Sequence, residues 1–169
     1  MNNLSFHITD ITANSIRANA SEIGLSVEEQ DTRIVIRITD NGSGMDAETA
    51  RRVTNPFYTT RTTRKVGLGL PFLIQNAEQT GGSVTLTSEP GKGTEVRAVF
   101  HSDHIDCPPW GDLPGTVALL ITGNPEINVC FEYRSGETGY SISTNEIKEI
   151  LDGVPLSHPK VMLLIKEMI

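Results

Sequence analysis

The succession of elements predicts an α/β fold, one domain of helices and mixed strands followed by a small α+β lobe. Three observations carry this expectation: an amphipathic helix opens the chain, two strands of alternating character follow it, and a later helix leads into a hairpin-like strand pair. At 169 residues there is room for one full domain and a small second lobe, and two large domains are excluded.

Over residues 5–20, Phe6, Ile8 or Thr9, Ala13, Ile16 or Arg17 and Ala20 recur at mixed steps of three and four, as one face of a helix does. Residues 22–28 and 33–40 alternate apolar with polar side chains, with Glu28 to Asp31 as the turn and Asp40 as the last strand residue. Asn41 to Gly44 is a loop by its turn chemistry, and Met45 to Val53 follows as a short helix with Asp46 as N-cap. Residues 55–66 lack periodicity and are rich in Thr, Arg and Lys, which suits a mobile stretch. Gly67 to Leu70 opens a helix that runs to about Thr80, where Pro71 is tolerated because the first turn needs no donor from it. Ser83 to Ser88 and Thr94 to His101 form the hairpin. The Pro- and Gly-rich stretch 102–115 is the best linker, dividing residues 1–103 from a lobe at 104–169. In that lobe residues 116–122, 127–133 and 138–142 are expected as strands, with helices at 145–151 and 159–168; Ser143 and Glu146 have capping-box spacing.

With 37% hydrophobic and 21% charged residues the chain is of the globular and not the disordered type. Its 14 Lys and Arg against 21 Asp and Glu leave a net charge of −7, which disfavours nucleic acid as a partner while leaving local basic stretches for a small anion. Cys107 and Cys130 stand in unlike contexts and make neither a disulfide framework nor a CxxC knuckle. No signal-peptide layout opens the chain, and no apolar run approaches the ~20 residues of a membrane helix, so a cytoplasmic location is expected.

Asp10 and Asn14 stand four apart on the first helix, a carboxylate and an amide oxygen one turn apart on one face, where they can hold magnesium or orient a water. Taken alone, they equally suit the solvated face of a surface helix. Asp40 projects from the end of its strand, a carboxylate suited to an exocyclic amine, and Gly42 and Gly44 let backbone approach a flat ligand. Gly67-Leu68-Gly69-Leu70 offers unhindered N–H groups at a helix start, which favours phosphate. Arg61, Arg64 and Lys65 just before it are placed either to close over phosphates or simply to solvate a loop.

The ordered set Asp10-x-x-x-Asn14, Asp40-x-Gly42-x-Gly44, Asn55-Pro-Phe-Tyr-Thr-Thr60, Gly67-Leu-Gly-Leu70 and Gly91-Lys-Gly-Thr94 resembles the ATP-binding domain of the GHKL superfamily, over about residues 4–101. That superfamily includes histidine kinases, type II topoisomerases, heat-shock chaperones and mismatch-repair ATPases. The resemblance implies a two-layer α/β sandwich of the Bergerat type and Mg²⁺-ATP as ligand. It implies Asn14 as the magnesium ligand, Asp40 as the partner of the adenine amine, and Thr94 as its link to the base through water. Gly42, Gly44, Met45, Thr59, Thr60, Arg61, Arg64, Lys65, Gly67, Leu68, Gly69 and Leu70 would complete the nucleotide site, with Asp10 as the catalytic carboxylate. The stretch from Pro56 to Arg61 is similar to the short lid of histidine kinases, and the first helix to that of mismatch-repair ATPases.

Three departures qualify what is carried over. Asp10 stands where hydrolysing branches have Glu, one methylene longer; Arg61 replaces the usual lid lysine; and Lys65 stands where kinases often have glycine. Because only three residues precede the first helix, the two-helix dimerisation region of histidine kinases is expected to be absent, and a phosphoacceptor would come from a partner protein in trans. The expected function is therefore phosphotransfer to a partner, in ATP-dependent signal transduction, with a nucleotide-gated binding switch or slow ATPase as alternatives and a homodimer as an option. His7, one turn before Asp10, reads as a surface histidine rather than a phosphoacceptor. The cluster from His101 to Cys107 reads as a hydrophilic strand exit rather than a zinc site.

Overall fold

The computed structural model describes residues 3–55 and 69–169. Among them are α1 (Leu4–Arg17), β1 (Glu22–Gln30), β2 (Arg33–Asp40), α2 (Ala47–Thr54) and α3 (Gly69–Gln79). The chain continues through β3 (Ser83–Glu89), β4 (Gly93–His101), α4 (Leu113–Gly123), β5 (Asn128–Ser135), β6 (Thr138–Ser143), α5 (Thr144–Leu151) and α6 (Pro159–Met168). The strands form one mixed sheet in the order β3-β4-β2-β1-β5-β6. Only β1 and β5 run parallel; the other neighbours are antiparallel.

Period-two alternation makes this a two-layer α/β sandwich. Ile23, Leu25 and Val27 of β1, Ile34, Ile36 and Ile38 of β2, Val96, Ala98 and Phe100 of β4, and Val129 and Phe131 of β5 all enter one core with the helices. The intervening positions make an open polar face, where Arg37 Nε lies 3.4 Å from Glu95 Oε2. Asp46 and Ser143 cap α2 and α5 as their spacing predicts, accepting from Thr49 N and Glu146 N. Ser143→Ala should lower stability by about 1 kcal/mol in chemical denaturation; an unchanged midpoint would show that the cap contributes nothing.

Two expected elements are corrected: the turn expected at Glu28 to Asp31 lies at Asp31 and Thr32, since β1 stays paired with β2 as far as Gln30 and Arg33, and one expected strand is a helix. Residues 116–122, expected as a strand, lie in α4, which starts within the stretch assigned to the linker. Asp112 caps it by accepting from Gly115 N, Pro114 sits in its first turn, and Leu113, Val117, Leu120 and Ile121 are buried at helical spacing. A short apolar run is ambiguous by periodicity alone, and the cap decides it.

The segment after residue 103 is built into the same sheet and core. β5 pairs with β1 along its length, and Pro109 O and Trp110 O accept from Leu4 N and Ser5 N at the start of α1. Trp110 Nε1 and Tyr133 OH both donate to Glu29 of β1. Among the described residues no helix is long and apolar enough to cross a membrane.

Candidate functional site

Asp40 ends β2, and register sets what stands beside it. In the β2–β4 pairing it is opposite Thr94, and in the β3–β4 pairing Thr94 is opposite Ser88. The three side chains therefore make one row across the sheet, on the face that carries the helices. Gly93 has a φ of 131°, and a Cβ there would lie 2.0 Å from the Asp40 carbonyl oxygen. Only glycine permits that approach. Gly44, at φ 70°, packs equally closely on Glu89 O, so the loop after β2 and the β3–β4 turn close on each other.

Above this row a cavity of about 330 Å³ opens between α1, α2, the start of α3 and the ends of β2 and β4. Ile11, Ile38, Met45, Val53, Leu70 and Val96 give it apolar walls, and Asn14, Ser15, Arg17, Asp40 and Thr94 its principal polar groups. Both Asp40 carboxylate oxygens are held: Oδ2 accepts from Ser15 Oγ at 2.6 Å and Oδ1 from Gly42 N at 2.9 Å. A fixed acceptor at the end of an apolar slot is suited to a flat ligand with an N–H on its edge.

On the α1 side, Arg17 Nη2 donates to Asn14 Oδ1 at 2.6 Å. Asp10 is half-buried one turn earlier, and burial raises its carboxyl pKa against the opposing pull of Arg17. A Cβ on Gly69, the first residue of α3, would come 3.0 Å from Asp10 Oδ2, so the glycine lets the α3 start approach this carboxylate.

The structure thus brings Asn14, Asp40, Gly44, Met45, Leu70 and Thr94 into one cavity. Gly42 packs behind the lining, where a Cβ would lie 2.7 Å from Ala18 O, and Asp10 and Gly69 face each other. Thr59, Thr60, Arg61, Arg64, Lys65, Gly67 and Leu68 lie outside the described residues. Sequence reasoning passed over Ser15 and Arg17. Arg17 carried a signal, since it follows Asn14 by three on the same helix face; Ser15 becomes visible only when β2 lies under α1.

His7 is not a surface residue: it is 1% exposed, among Phe6, Phe72 and Phe100. Its Nε2 accepts from Asn76 Nδ2 at 2.7 Å, and burial lowers its pKa to about 4. Phosphoryl acceptance at this position would require α1 to unpack. In the linker, Asp106 N donates to His104 Nδ1, and among the described residues no group of three or more His, Cys, Asp or Glu is placed to hold a metal ion.

Comparison with known proteins gives three concordant findings. The chain is 32% identical over 97 residues to a putative sensor protein of Shewanella frigidimarina, covering 55% of this chain and 15% of that protein. It is 29% identical over 104 residues to the sensor histidine kinase YxdK of Bacillus subtilis (57% and 32% covered), and 30% over 101 residues to sporulation kinase C of the same organism (59% and 23%). The chain therefore spans less than a third of each of these relatives. Among solved structures, the N-terminal domain of a DNA repair protein superposes with a TM-score of 0.61 at 18% identity, covering 85% of this chain and 52% of that one, which is a likeness of fold. A family model described as histidine kinase-, DNA gyrase B- and HSP90-like ATPase matches residues 3–104, more than half of the chain, and the chain belongs to that family.

Proposed function

We propose that the chain binds Mg²⁺-ATP in the cavity above Asp40 and transfers the γ-phosphoryl group to a side chain of a partner protein. The observation that carries this is the pairing of apolar walls with the Asp40 carboxylate, whose two oxygens are fixed by Ser15 and Gly42 and which presents only acceptor capacity. Such a slot accommodates a purine whose exocyclic amine donates to Asp40.

The donor set also fits magnesium. Asn14 Oδ1 has two lone pairs and Arg17 occupies one, so the oxygen can ligate a hard cation beside the guanidinium or exchange one for the other. Arg17, once released, is a planar cation suited to phosphate oxygens. Magnesium, when bound, supplies charge neutralisation and orientation of those oxygens. In transfer, a lone pair of the acceptor attacks the γ-phosphorus, the bond to the β–γ bridging oxygen breaks with its electrons going to ADP, and the acceptor proton leaves to solvent.

The kinase names of two relatives support transfer over simple hydrolysis, and the burial of His7 supports an acceptor outside α1. Asp10 favours a second reading. Its raised pKa and its position against the α3 start suit a base that takes the proton of an attacking water, giving slow hydrolysis.

One incubation of purified protein with Mg²⁺ and γ-labelled ATP, resolving bound nucleotide, free phosphate and labelled protein, tests both. Phosphotransfer in trans predicts retained ATP, little free phosphate and no label on this chain, with label moving to protein only when a partner is added. Free phosphate that disappears in Asp10→Ala, with binding intact, would replace transfer by hydrolysis. Partner affinity that follows nucleotide state without any movement of label would make the chain a nucleotide-gated switch.

A further inference from the structure

Ser88 stands outside the cavity lining, yet its hydroxyl joins two of the segments that shape the cavity, the loop after β2 and the start of β4. Its Oγ lies 2.8 Å from Met45 N in the loop after β2, 3.1 Å from Gly93 O at the start of β4, and 2.8 Å from Thr94 Oγ1. A serine hydroxyl has one proton and two lone pairs. Met45 N–H only donates and Gly93 C=O only accepts, so a single arrangement satisfies all three contacts. The Ser88 proton goes to Gly93 O, and Ser88 Oγ accepts from Met45 N–H and from the Thr94 hydroxyl. Thr94 then has its proton directed away from the cavity and turns only lone pairs toward it.

We propose that Ser88 is a positioning residue that locks the Thr94 hydroxyl as a hydrogen-bond acceptor, and through it favours a 6-amino purine nucleotide over a 6-oxo one. Asp40 is the neighbour of Thr94 in the same row and is itself acceptor-only. Together they present an edge that pairs with N–H donors, directly or through a water, and that opposes a carbonyl oxygen such as O6 of guanine. Without the Ser88 hydroxyl the Thr94 proton is free to rotate into the cavity and the edge loses its single polarity. This inference rests on the nucleotide reading above.

The test is a double-mutant cycle on Mg²⁺-ATP affinity, measured by calorimetry, with GTP as competitor. Ser88→Ala should weaken ATP about fivefold, the worth of one hydrogen bond, and narrow the preference over GTP by a similar factor. In a Thr94→Val background the same change should have no further effect, and Ser88→Thr, which keeps the hydroxyl, should bind as the parent protein does. A Ser88→Ala loss of equal size in the Thr94→Val background, an equal loss for ATP and GTP, or unchanged ATP affinity would overturn the proposal. Should Ser88→Ala fail to show a cooperative melt, the cycle runs with Ser88→Cys, whose thiol is a poor donor and acceptor. Failure of the unaltered protein to bind ATP would instead overturn the nucleotide reading itself, and full binding by Asp40→Asn would overturn the placement of the base at Asp40.

Discussion

Asp40→Asn lowers the affinity for ATP by roughly 100-fold, about 3 kcal/mol, while the protein remains folded. The substitution keeps the shape of the side chain and changes only its hydrogen-bonding sense. In the native protein one carboxylate oxygen accepts from Ser15 Oγ at 2.6 Å and the other from Gly42 N at 2.9 Å, and both retain lone pairs toward the cavity. An asparagine has one oxygen and one amide nitrogen for these tasks. If the nitrogen faces Gly42 N–H, two donors meet; if it faces Ser15, the hydroxyl can turn to accept, but the nitrogen then also faces the exocyclic amine of the base. Either orientation places a donor where a donor must be received, and an unsatisfied polar pair in a slot with largely apolar walls costs more than the loss of one bond. Calorimetric titration with Mg²⁺-ATP reads the affinity and a thermal melt reads the fold. Native-like affinity in a folded Asp40→Asn protein would place the base elsewhere.

The parts of this site that were legible in the sequence are those set by local chemistry. A carboxylate closing an alternating run had to stand at a strand end, and an aspartate and an asparagine four apart had to share a helix face. The row of Asp40, Thr94 and Ser88 was not legible, because it exists only once β2, β4 and β3 are in register. Asp40 and Thr94 were found as members of a motif, whereas Ser88 belongs to no box and needed the hairpin pairing to bring it to Met45 N. The misassigned strand at 116–122 has a different cause. Val117 to Ile121 satisfies the local preferences of a buried strand, and the helix is decided by Asp112 and by packing on α1 and α6. The alternation of β5 was visible in the sequence, but its parallel pairing to β1 is a property of chain topology that no local pattern encodes. His7 was misplaced for a related reason, since one polar residue on an apolar helix face shows its burial only when α3 brings Phe72 and Asn76 onto it.

Stability falls as the pH is lowered from 6.5 to about 4, and His7 accounts for about 3 kcal/mol of that fall. The folded-state pKa of about 4 lies below the ordinary value of 6.5 because the ring is buried among aromatic side chains. The unfolded chain therefore takes up the proton first. Above 6.5 neither state is protonated and the full stability is present; between 6.5 and about 4 each unit of acid favours the unfolded chain by about 1.4 kcal/mol; below about 4 both states are protonated and the contribution is spent. Protonation in place would also put a donor on Nε2, which already accepts from Asn76 Nδ2 at 2.7 Å, so the helix pair α1 and α3 loses a bond at the same step. Carboxylates titrate in the lower part of this window, and His7→Gln separates the two effects. Its neutral amide can still accept from Asn76 and has no proton to gain. Urea denaturation at half-unit steps from pH 7.5 to 4.5 should show the native protein losing stability with the steeper slope and the variant retaining only the shallower carboxylate part. Parallel curves would mean that His7 is protonated in the folded protein with no change in its surroundings, and that α1 and α3 are not packed tightly enough to exclude the charge.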